Sequence, residues 1–297
     1  MYKILLFNFV FCQCTFAWNP FSLFSKKPNE DIIQKEFPLN QNGKVSIKNI
    51  WGNINVTTWK QDMVQIKITK STTKPEFVEK VSVNIRASEK QIIIETKEQR
   101  DAAGKVEVLI ELIVPQGAQV NAITKKGAIS IKGLQAPAKA RTENGNIEIA
   151  NVQGAIVTSS DYGNIEISSS SEDIRAHTLN GNITIDEAGR NIVARTKKGA
   201  IRTSCKKVEQ LDTVSLSTKS GNIVLDLPEQ VNAELLAKTN KGKIISEHFI
   251  TIKPQTTQLN KKNWARMRKE IDGTLGSGDA SIKLTAGSGN IKINKLA

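Results

Sequence analysis

Two glutamates stand where they could perform acid–base chemistry. Glu148 and Glu166 occupy equivalent positions in two nearly identical segments, eighteen residues apart. On adjacent coils of a repeat their carboxylates would lie about 5 Å apart, close to the separation found in retaining glycosidases. Thr184 and Arg202 continue the same column, however, and no aromatic sugar platform accompanies the pair. A solvated face is the favoured interpretation, and we predict no enzymatic activity.

Cys205 is the other candidate for chemistry, as a nucleophile. Its base would have to be His177 or His248, the only histidines, and no local motif joins either to it. Cys12 and Cys14 lie in an N-terminal apolar run that is predicted to be removed, so no intramolecular disulfide is expected. We predict a buried thiol at Cys205. Because zinc spacings, calcium repeats and phosphate loops are also missing from the sequence, no metal or cofactor is predicted.

Basic residues supply the candidate binding sites in a chain of formal net charge +13 and pI near 9.6. Four positions before successive glycines stand Arg141, Ser159, His177 and Arg195, which alternation predicts to face outward. Such a column could hold an anionic polymer through many weak contacts. The alternative is an ordinary solubilising surface.

A second basic cluster lies in an insertion near the C-terminus. It combines one tryptophan with five cations: Lys261, Lys262, Trp264, Arg266, Arg268 and Lys269. This combination can bind lipid head groups or polysaccharide. Equally, the segment could cap the final coil, with the tryptophan packed inward. Both interpretations stay open at this point.

The elements that position these residues come from an eighteen-residue repeat. Its glycines are Gly127, Gly145, Gly163, Gly181 and Gly199, and isoleucines follow two and four positions after nearly all of them. A fixed period of this kind is typical of a solenoid, whose coils bury their apolar faces on one another. The sequence therefore predicts an all-β protein, a β-solenoid formed as a single-stranded β-helix of about 18 residues per coil with parallel pairing. We attribute the glycines to corners with positive φ, and the asparagines beside them to a ladder of turns.

The rest of the chain divides around this repeat. Residues 1–17 are predicted to be a signal peptide, with Lys3, an apolar run and a small residue at Ala17. A linker is predicted at 18–35, an N-terminal β-strand section at 36–117 and β-helix repeats at 118–297, with an insertion at 247–276. Wider glycine spacing after Gly199 predicts loops at 204–212 and 226–232, and residues 278–293 are expected to form the last coil. Alternation in the N-terminal section predicts strands at 44–49, 53–59, 64–69, 81–86, 91–96 and 106–114, with a helical turn at 75–80.

Several motifs in this order carry a family resemblance. They are the early segment 51–56 with Trp59 after it, the Leu-Ile-Val-Pro-Gln-Gly hinge at 112–117, the serial Gly-Asn-Ile turns and the closing Gly-Ser-Gly-Asn-Ile at 287–291. Over residues 36–293 the chain resembles a family of bacterial proteins provisionally named adhesins, a β-strand-repeat domain of unknown function related to head GIN domains. The resemblance implies an exported β-helical protein with no established catalytic residues.

These observations predict an exported, non-enzymatic surface-binding module of the adhesin type. Its expected location is the periplasm, the outer cell surface or the extracellular space. The expected partners are acidic polysaccharide, anionic lipid head groups or surface proteins; nucleic acid is not expected because the signal directs the chain away from it. The alternatives are a structural envelope scaffold and a polysaccharide-degrading β-helix enzyme.

Overall fold

A computed structural model of the chain describes residues 30–170, 172–187, 189–206, 211–253 and 269–296. Its N-terminal section consists of β1 (Glu30–Pro38), β2 (Lys44–Trp51), β3 (Ile54–Trp59), β4 (Met63–Ser71), a 3-10 helix (Pro75–Lys80), β5 (Val81–Ala87), β6 (Gln91–Glu98), a second 3-10 helix (Arg100–Ala102) and β7 (Glu107–Pro115). The predicted strands of this section and its helical turn are therefore confirmed, with small shifts at their ends.

The first strand begins within the predicted linker. Strand β1 pairs antiparallel with β4 along its full length, from Glu30 opposite Ser71 to Pro38 opposite Met63. Ile33 and Phe37 of this strand pack against the core. The structure thus places residues 30–35 in a sheet, although the sequence predicts a linker there. Charged residues on both sides of a short apolar pair hide the alternation that marks the other strands.

The repeats form a two-sheet coil in which each turn contributes one strand to each sheet. Their strands are β8 (Gln119–Lys126), β9 (Ile129–Lys132), β10 (Ala138–Asn144), β11 (Ile147–Val152), β12 (Ile156–Tyr162), β13 (Ile165–Ser170), β14 (Ile174–Asn180), β15 (Ile183–Asp186), β16 (Asn191–Lys198), β17 (Ile201–Ser204), β18 (Thr213–Ser220) and β19 (Ile223–Leu227). Even-numbered strands of this set pair in parallel in one sheet and odd-numbered strands in the other. The predicted β-solenoid is confirmed.

The core between the two sheets is a stack of aliphatic columns. Ile147, Ile165 and Ile183 lie directly opposite one another on neighbouring strands and are essentially inaccessible to water. Ala138, Ile156 and Ile174 form the facing column from the other sheet. Burial of these side chains, at roughly 25 cal/mol per Å² of apolar surface, is the main stabilising contribution available to so narrow a core.

The glycine column forms a corner where successive coils come into very close contact. A Cβ atom added to Gly163 would overlap the carbonyl oxygen of Gly145, and one added to Gly181 would overlap that of Gly163. Gly163 has a φ of 158°, whereas the φ of Gly181 lies outside the left-handed range. Positive φ, which the sequence predicts as the reason for glycine, therefore applies to only part of the column, and the close approach applies to both residues.

Side chains beside the corner continue its hydrogen bonding from coil to coil. The buried hydroxyl of Thr178 donates to the carbonyl oxygen of Gly163 at 3.0 Å, and Ser160 and Thr142 make the same bond one and two coils earlier, respectively. The side-chain oxygen of Asn146 accepts the backbone N–H of Asn164 at 2.9 Å. The asparagine ladder is thus confirmed as a structural one, in which each amide side chain bonds the next coil's backbone.

The C-terminal strands stack in an order that differs from their order in the chain. They are β20 (Ala233–Thr239), β21 (Ile244–Ser246), β22 (Thr251–Ile252), β23 (Glu270–Leu275), β24 (Ala280–Ser288) and β25 (Ile291–Lys295). Strand β24 lies between β18 and β20, and β25 lies between β19 and β21. The prediction that residues 278–293 form the last coil of the stack is wrong, because this coil is inserted before the previous one. All coils present similar edges, so the repeat alone does not determine their stacking order.

Both ends of the solenoid depart from the parallel pattern. In the sheet that we name sheet A the order is β1-β4-β7-β3-β9-β11-β13-β15-β17-β19-β25-β21 among the described residues, and β1 and β4 pair antiparallel. In sheet B it is β22-β23-β20-β24-β18-β16-β14-β12-β10-β8-β2-β6-β5, with β5, β22 and β23 antiparallel. These terminal strands cover the open edges of the parallel coils.

Alanine at the glycine corner is expected to be strongly destabilising. Gly163→Ala introduces both the unfavourable φ and the overlap with Gly145, and should lower the free energy of unfolding by about 2–5 kcal/mol. Gly104→Ala is the matched control, because Gly104 has a φ of 67° but no atom within 4 Å of the added Cβ. It should cost only about 1–2 kcal/mol. Equal losses in urea unfolding of the two variants would contradict the role of the close approach.

Candidate binding surface

The outer face of sheet B carries a cluster of exposed cations. Strand register aligns Arg141, Ser159, His177 and Arg195 in one column, as the sequence predicts, on β10, β12, β14 and β16. A second column two residues earlier contains Lys139, Val157, Arg175 and Val193. We name the five basic side chains of both columns the basic stripe: Lys139, Arg141, Arg175, His177 and Arg195. All five are exposed.

The fold positions the basic stripe rigidly. Inward-facing Ala138, Ala140 and Thr142 alternate with the outward cations of β10, so that the strand's orientation is set by its buried side. Neighbouring strands lie about 4.8 Å apart, which places the Cα atoms of Arg141 and Arg195 about 14 Å apart, three strands away from each other. The stripe is thus a fixed, nearly flat array of positive charge.

Among the described residues, the lysine and the arginines of the stripe have no ion-pair partner, whereas three cations of sheet A have one. Across the described chain, no carboxylate lies within ion-pair distance of Lys139, Arg141, Arg175 or Arg195, although Glu143 lies two positions beyond Arg141 on the same strand. On sheet A, by contrast, each of three cations contacts a carboxylate: Lys132 with Glu148 at 2.6 Å, Arg202 with Asp226 at 2.7 Å and Lys67 with Glu111 at 2.9 Å. The positive charge of the basic stripe is therefore available to a ligand, whereas cations nearer the two ends of sheet B are paired, as Lys48 is with Glu95 and Lys238 is with Glu270.

The binding column predicted from the sequence does not include two members of the stripe. Lys139 and Arg175 stand six positions before a glycine, and only the column four positions before it was assigned to binding. The strand alternation that identified Arg141 and Arg195 applies equally to a residue two positions earlier. That signal was present in the sequence and was sufficient to find both.

The glutamate pair of sheet A forms a solvent-facing arrangement. Glu148 and Glu166 lie directly opposite each other on β11 and β13, as their spacing predicts. Both are exposed, and Glu148 contacts Lys132 and accepts a hydrogen bond from Ser130 at 3.2 Å. These contacts match a surface ion-pair network and favour the solvated face over a catalytic pair.

Cys205 is buried, as predicted. Burial raises the pKa of its thiol to about 12, and the negative charge of Asp226 adds to the shift. The side chain of His248 contacts the backbone oxygen of Asn294 at 3.2 Å, and His177 is exposed on the other sheet. Neither histidine contacts the thiol, so the nucleophile interpretation has no support from the geometry.

The basic insertion is only partly described. Lys261, Lys262, Trp264, Arg266 and Arg268 lie outside the described residues, and their role in binding stays a prediction. Lys269 is described and exposed, and its ammonium group donates to the backbone oxygen of Asn240 at 2.8 Å. This contact joins the start of β23 to the end of β20.

The described ranges contain no candidate for a metal site or a membrane-spanning helix. There, no group of three or more His, Cys, Asp or Glu side chains is placed to hold a metal ion. No helix among those same ranges is long and apolar enough to span a membrane.

Comparison with known proteins gives the family. A family model described as Toastrack DUF4097 matches residues 34–294, which is most of the chain. The chain belongs to this family. The observed fold, two long sheets whose strands run side by side as successive coils, is consistent with membership of the Toastrack family. Among curated proteins, none matches this Toastrack chain.

Solved structures show low overall similarity. A provisionally named adhesin from Bacteroides fragilis is 13% identical, with a TM-score of 0.49 over 91% of this chain and 99% of its own. A provisionally named adhesin and a provisionally named lipid binding protein, both from Parabacteroides distasonis, are each 12% identical. Their TM-scores are 0.43 and 0.37, and each comparison covers 90% of this chain and 97% of the other.

The Cys205 thiol is expected to be unreactive in the folded protein. At pH 8, well below a pKa of about 12, it is protonated, and its burial excludes reagents. In a form with Cys12 and Cys14 replaced by serine, a maleimide should label the folded protein at least about a hundredfold more slowly than the urea-unfolded protein. Rapid labelling without denaturant would contradict the buried position.

Proposed function

We propose that this Toastrack protein is an exported, non-enzymatic binding module whose basic stripe holds an acidic polysaccharide of a cell surface. The observation that carries the proposal is a set of four cations on one sheet face, Lys139, Arg141, Arg175 and Arg195, that have no ion-pair partner in the part of the chain that the structure describes. Exposed charges at fixed spacing suit a polymer that repeats its anionic groups, since each contact is weak and the contacts add along the chain.

The geometry favours polysaccharide over a lipid bilayer as the partner of the stripe. Binding at a membrane surface needs apolar side chains that enter the interface in addition to cations. Between the cations of the stripe the apolar side chains are Val157, which is 40% exposed, and the half-buried Val193. Both are short, and the larger Leu179, two residues after His177 on the same strand face, is 37% exposed, so the stripe offers mainly charge and little apolar surface for insertion.

Export rests on the N-terminal sequence. Lys3, the apolar run that follows it and the small residue at Ala17 have the arrangement of a signal peptide, and these residues lie outside the described part of the chain. An exported protein meets acidic polysaccharide rather than nucleic acid. The location is therefore consistent with the proposed ligand class.

Removing the stripe's charge should weaken binding to an acidic polysaccharide. Heparin is a suitable probe, and the variant replaces Lys139, Arg141, Arg175 and Arg195 with glutamine. We expect at least a tenfold increase in Kd at low salt, since each lost contact with an anionic surface contributes up to about 1 kcal/mol. The difference should shrink at high salt, where screening weakens the interaction of the parent protein.

A charge-matched control separates the stripe from net charge. Replacing Lys67, Lys132, Lys206 and Lys292 with glutamine removes four exposed cations on or beside sheet A and lowers the formal net charge of +13 by the same four units. This control should bind heparin nearly as the parent does. The proposal fails if both variants lose affinity equally, or if the parent binds anionic vesicles but not heparin.

A further inference from the structure

A cleft at the N-terminal end of the solenoid combines aromatic, cationic and hydroxyl groups. Its volume is about 470 Å³, within the range of small-molecule sites, and it lies where β2 ends beside the two 3-10 helices. The lining consists of Trp51, Ser71, Thr72, Thr73, Lys74, Phe77, Gly104, Lys105 and Glu107. The cleft is separate from the basic stripe, which begins at β10.

Trp51 is held in the cleft by a buried polar network. The side chain of Asn49 donates to the backbone oxygens of Gly52 at 3.1 Å and Val108 at 2.7 Å, on either side of the corner. The Thr96 hydroxyl donates to Asn49 at 2.9 Å. Trp51 therefore stands on a fixed part of the backbone, which is the condition for a preorganised aromatic contact.

The indole of Trp51 has no partner of its own within the described structure. Trp59 provides the comparison, because its indole N–H donates to the backbone oxygen of Met63 at 2.7 Å. The half-buried Trp51 side chain lines the cleft and makes no such bond among the described residues. A ring face beside a free donor is suited to the apolar face and hydroxyl groups of a sugar.

The charged residues that line the cleft are the cations Lys74 and Lys105 and the carboxylate Glu107, and Lys80 lies beside it on the Phe77 ring. Lys80 and Lys105 both contact the Phe77 ring, at 5.1 Å and 4.1 Å from its centroid. Lys80 also forms an ion pair with Asp101. Lys105 contacts no carboxylate in the described chain, and its backbone is fixed by the Thr72 hydroxyl, which donates to its carbonyl oxygen at 2.7 Å. Lys105 thus presents a charge with no direct ion-pair contact among the described residues. Its field reaches Asp101, whose pKa is lowered mainly by the bond to Lys80 and to a smaller extent by the charge of Lys105.

Trp51, which lines the cleft, is also the first member of a row of side chains that runs along the glycine corner. Strand register places Lys126 beside Trp51, then Asn144, then Tyr162. Tyr162 is 58% exposed, and its Cα lies about 14 Å from that of Trp51, three strands away. Two aromatic rings on one line, with a cation and an amide between them, form a track of the length of a short oligosaccharide.

We propose that the Trp51 cleft binds an acidic sugar unit, with its ring on Trp51 and its carboxylate on Lys105, and that the oligosaccharide continues over Lys126 towards Tyr162. This inference deepens the proposed function, on which it rests for the ligand class. It assigns recognition of individual sugars to the cleft, and leaves the retention of long polymers to the basic stripe.

The test uses a tetragalacturonate and its neutral methyl ester as probes for calorimetric titration of the full chain. Lys105→Gln should weaken binding of the acidic probe at least fivefold, because the cation that faces its carboxylate is lost. Trp51→Ala should abolish measurable binding, and Trp51→Phe, which keeps a ring and therefore the fold, should weaken binding of both probes. Lys90→Gln is the matched control, since Lys90 is an exposed lysine lining another cleft at the same end of the molecule. It should bind like the parent.

The outcomes of this test are distinguishable from those of the heparin experiment. The cleft proposal is overturned if the parent does not bind tetragalacturonate, if it binds the neutral ester equally well, or if Lys105→Gln and Trp51→Phe bind unchanged. The stripe variant should keep its affinity for tetragalacturonate while losing that for heparin. Heparin binding without tetragalacturonate binding leaves the proposed function standing and removes the cleft. The reverse result removes the stripe and leaves the cleft.

Discussion

The solenoid depends on the contact between glycine corners of successive coils. The carbonyl oxygen of one glycine occupies the space where the next glycine would carry a Cβ atom. The backbone N–H of Gly145 donates to the backbone oxygen of Tyr162, and that of Gly163 donates to the backbone oxygen of Asn180, each at 2.9 Å. This contact sets the axial register of every coil, and the buried hydroxyls and asparagine amides beside it reinforce that register. Once the register is fixed, each position of the repeat becomes a straight column along the molecule. The outward columns, and therefore any surface built from them, follow directly from it.

Local sequence was sufficient to predict what one coil does. The glycine period, the isoleucine columns and the outward position of Arg141 and Arg195 all follow from alternation within a single repeat. The order in which the coils stack is not predictable in this way. The corner of Gly289 stacks on that of Gly221, although the corner of Gly242 comes earlier in the chain and offers an equivalent surface. Likewise β1 is a strand because β4 offers it an edge to pair with. The paired residues lie 25 positions apart at Pro38 and Met63 and 41 apart at Glu30 and Ser71, and so distant a pairing leaves no local period.

The candidate surfaces show the same division between local and spatial information. Alternation predicts that a cation faces water, but only the structure shows whether a carboxylate stands beside it. Arg202 and Arg195 are both exposed arginines in neighbouring segments, yet Arg202 contacts Asp226 from the next coil and Arg195 has no such partner among the described residues. The Trp51 cleft is less predictable still, since its groups come from three separate stretches of the N-terminal section. In the sequence, Trp51 stands out only as the first residue of the family motif at 51–56.

A rigid solenoid is well suited to binding a repeating polymer, for a reason that concerns entropy. Ordering a flexible backbone on binding costs about 1–2 kcal/mol for each residue that is fixed, whereas one exposed ion pair contributes only about 0–1 kcal/mol. In this protein the backbone beneath every outward side chain is already fixed by inward packing, so the ligand has only the side-chain ends to order. Unpaired cations keep this advantage because no existing ion pair must be broken first. The same reasoning separates the basic stripe from the paired cations elsewhere: Lys132 and Arg202 of sheet A and Lys48 and Lys238 of sheet B already contact carboxylates, and the described part of the chain offers the stripe no such partner.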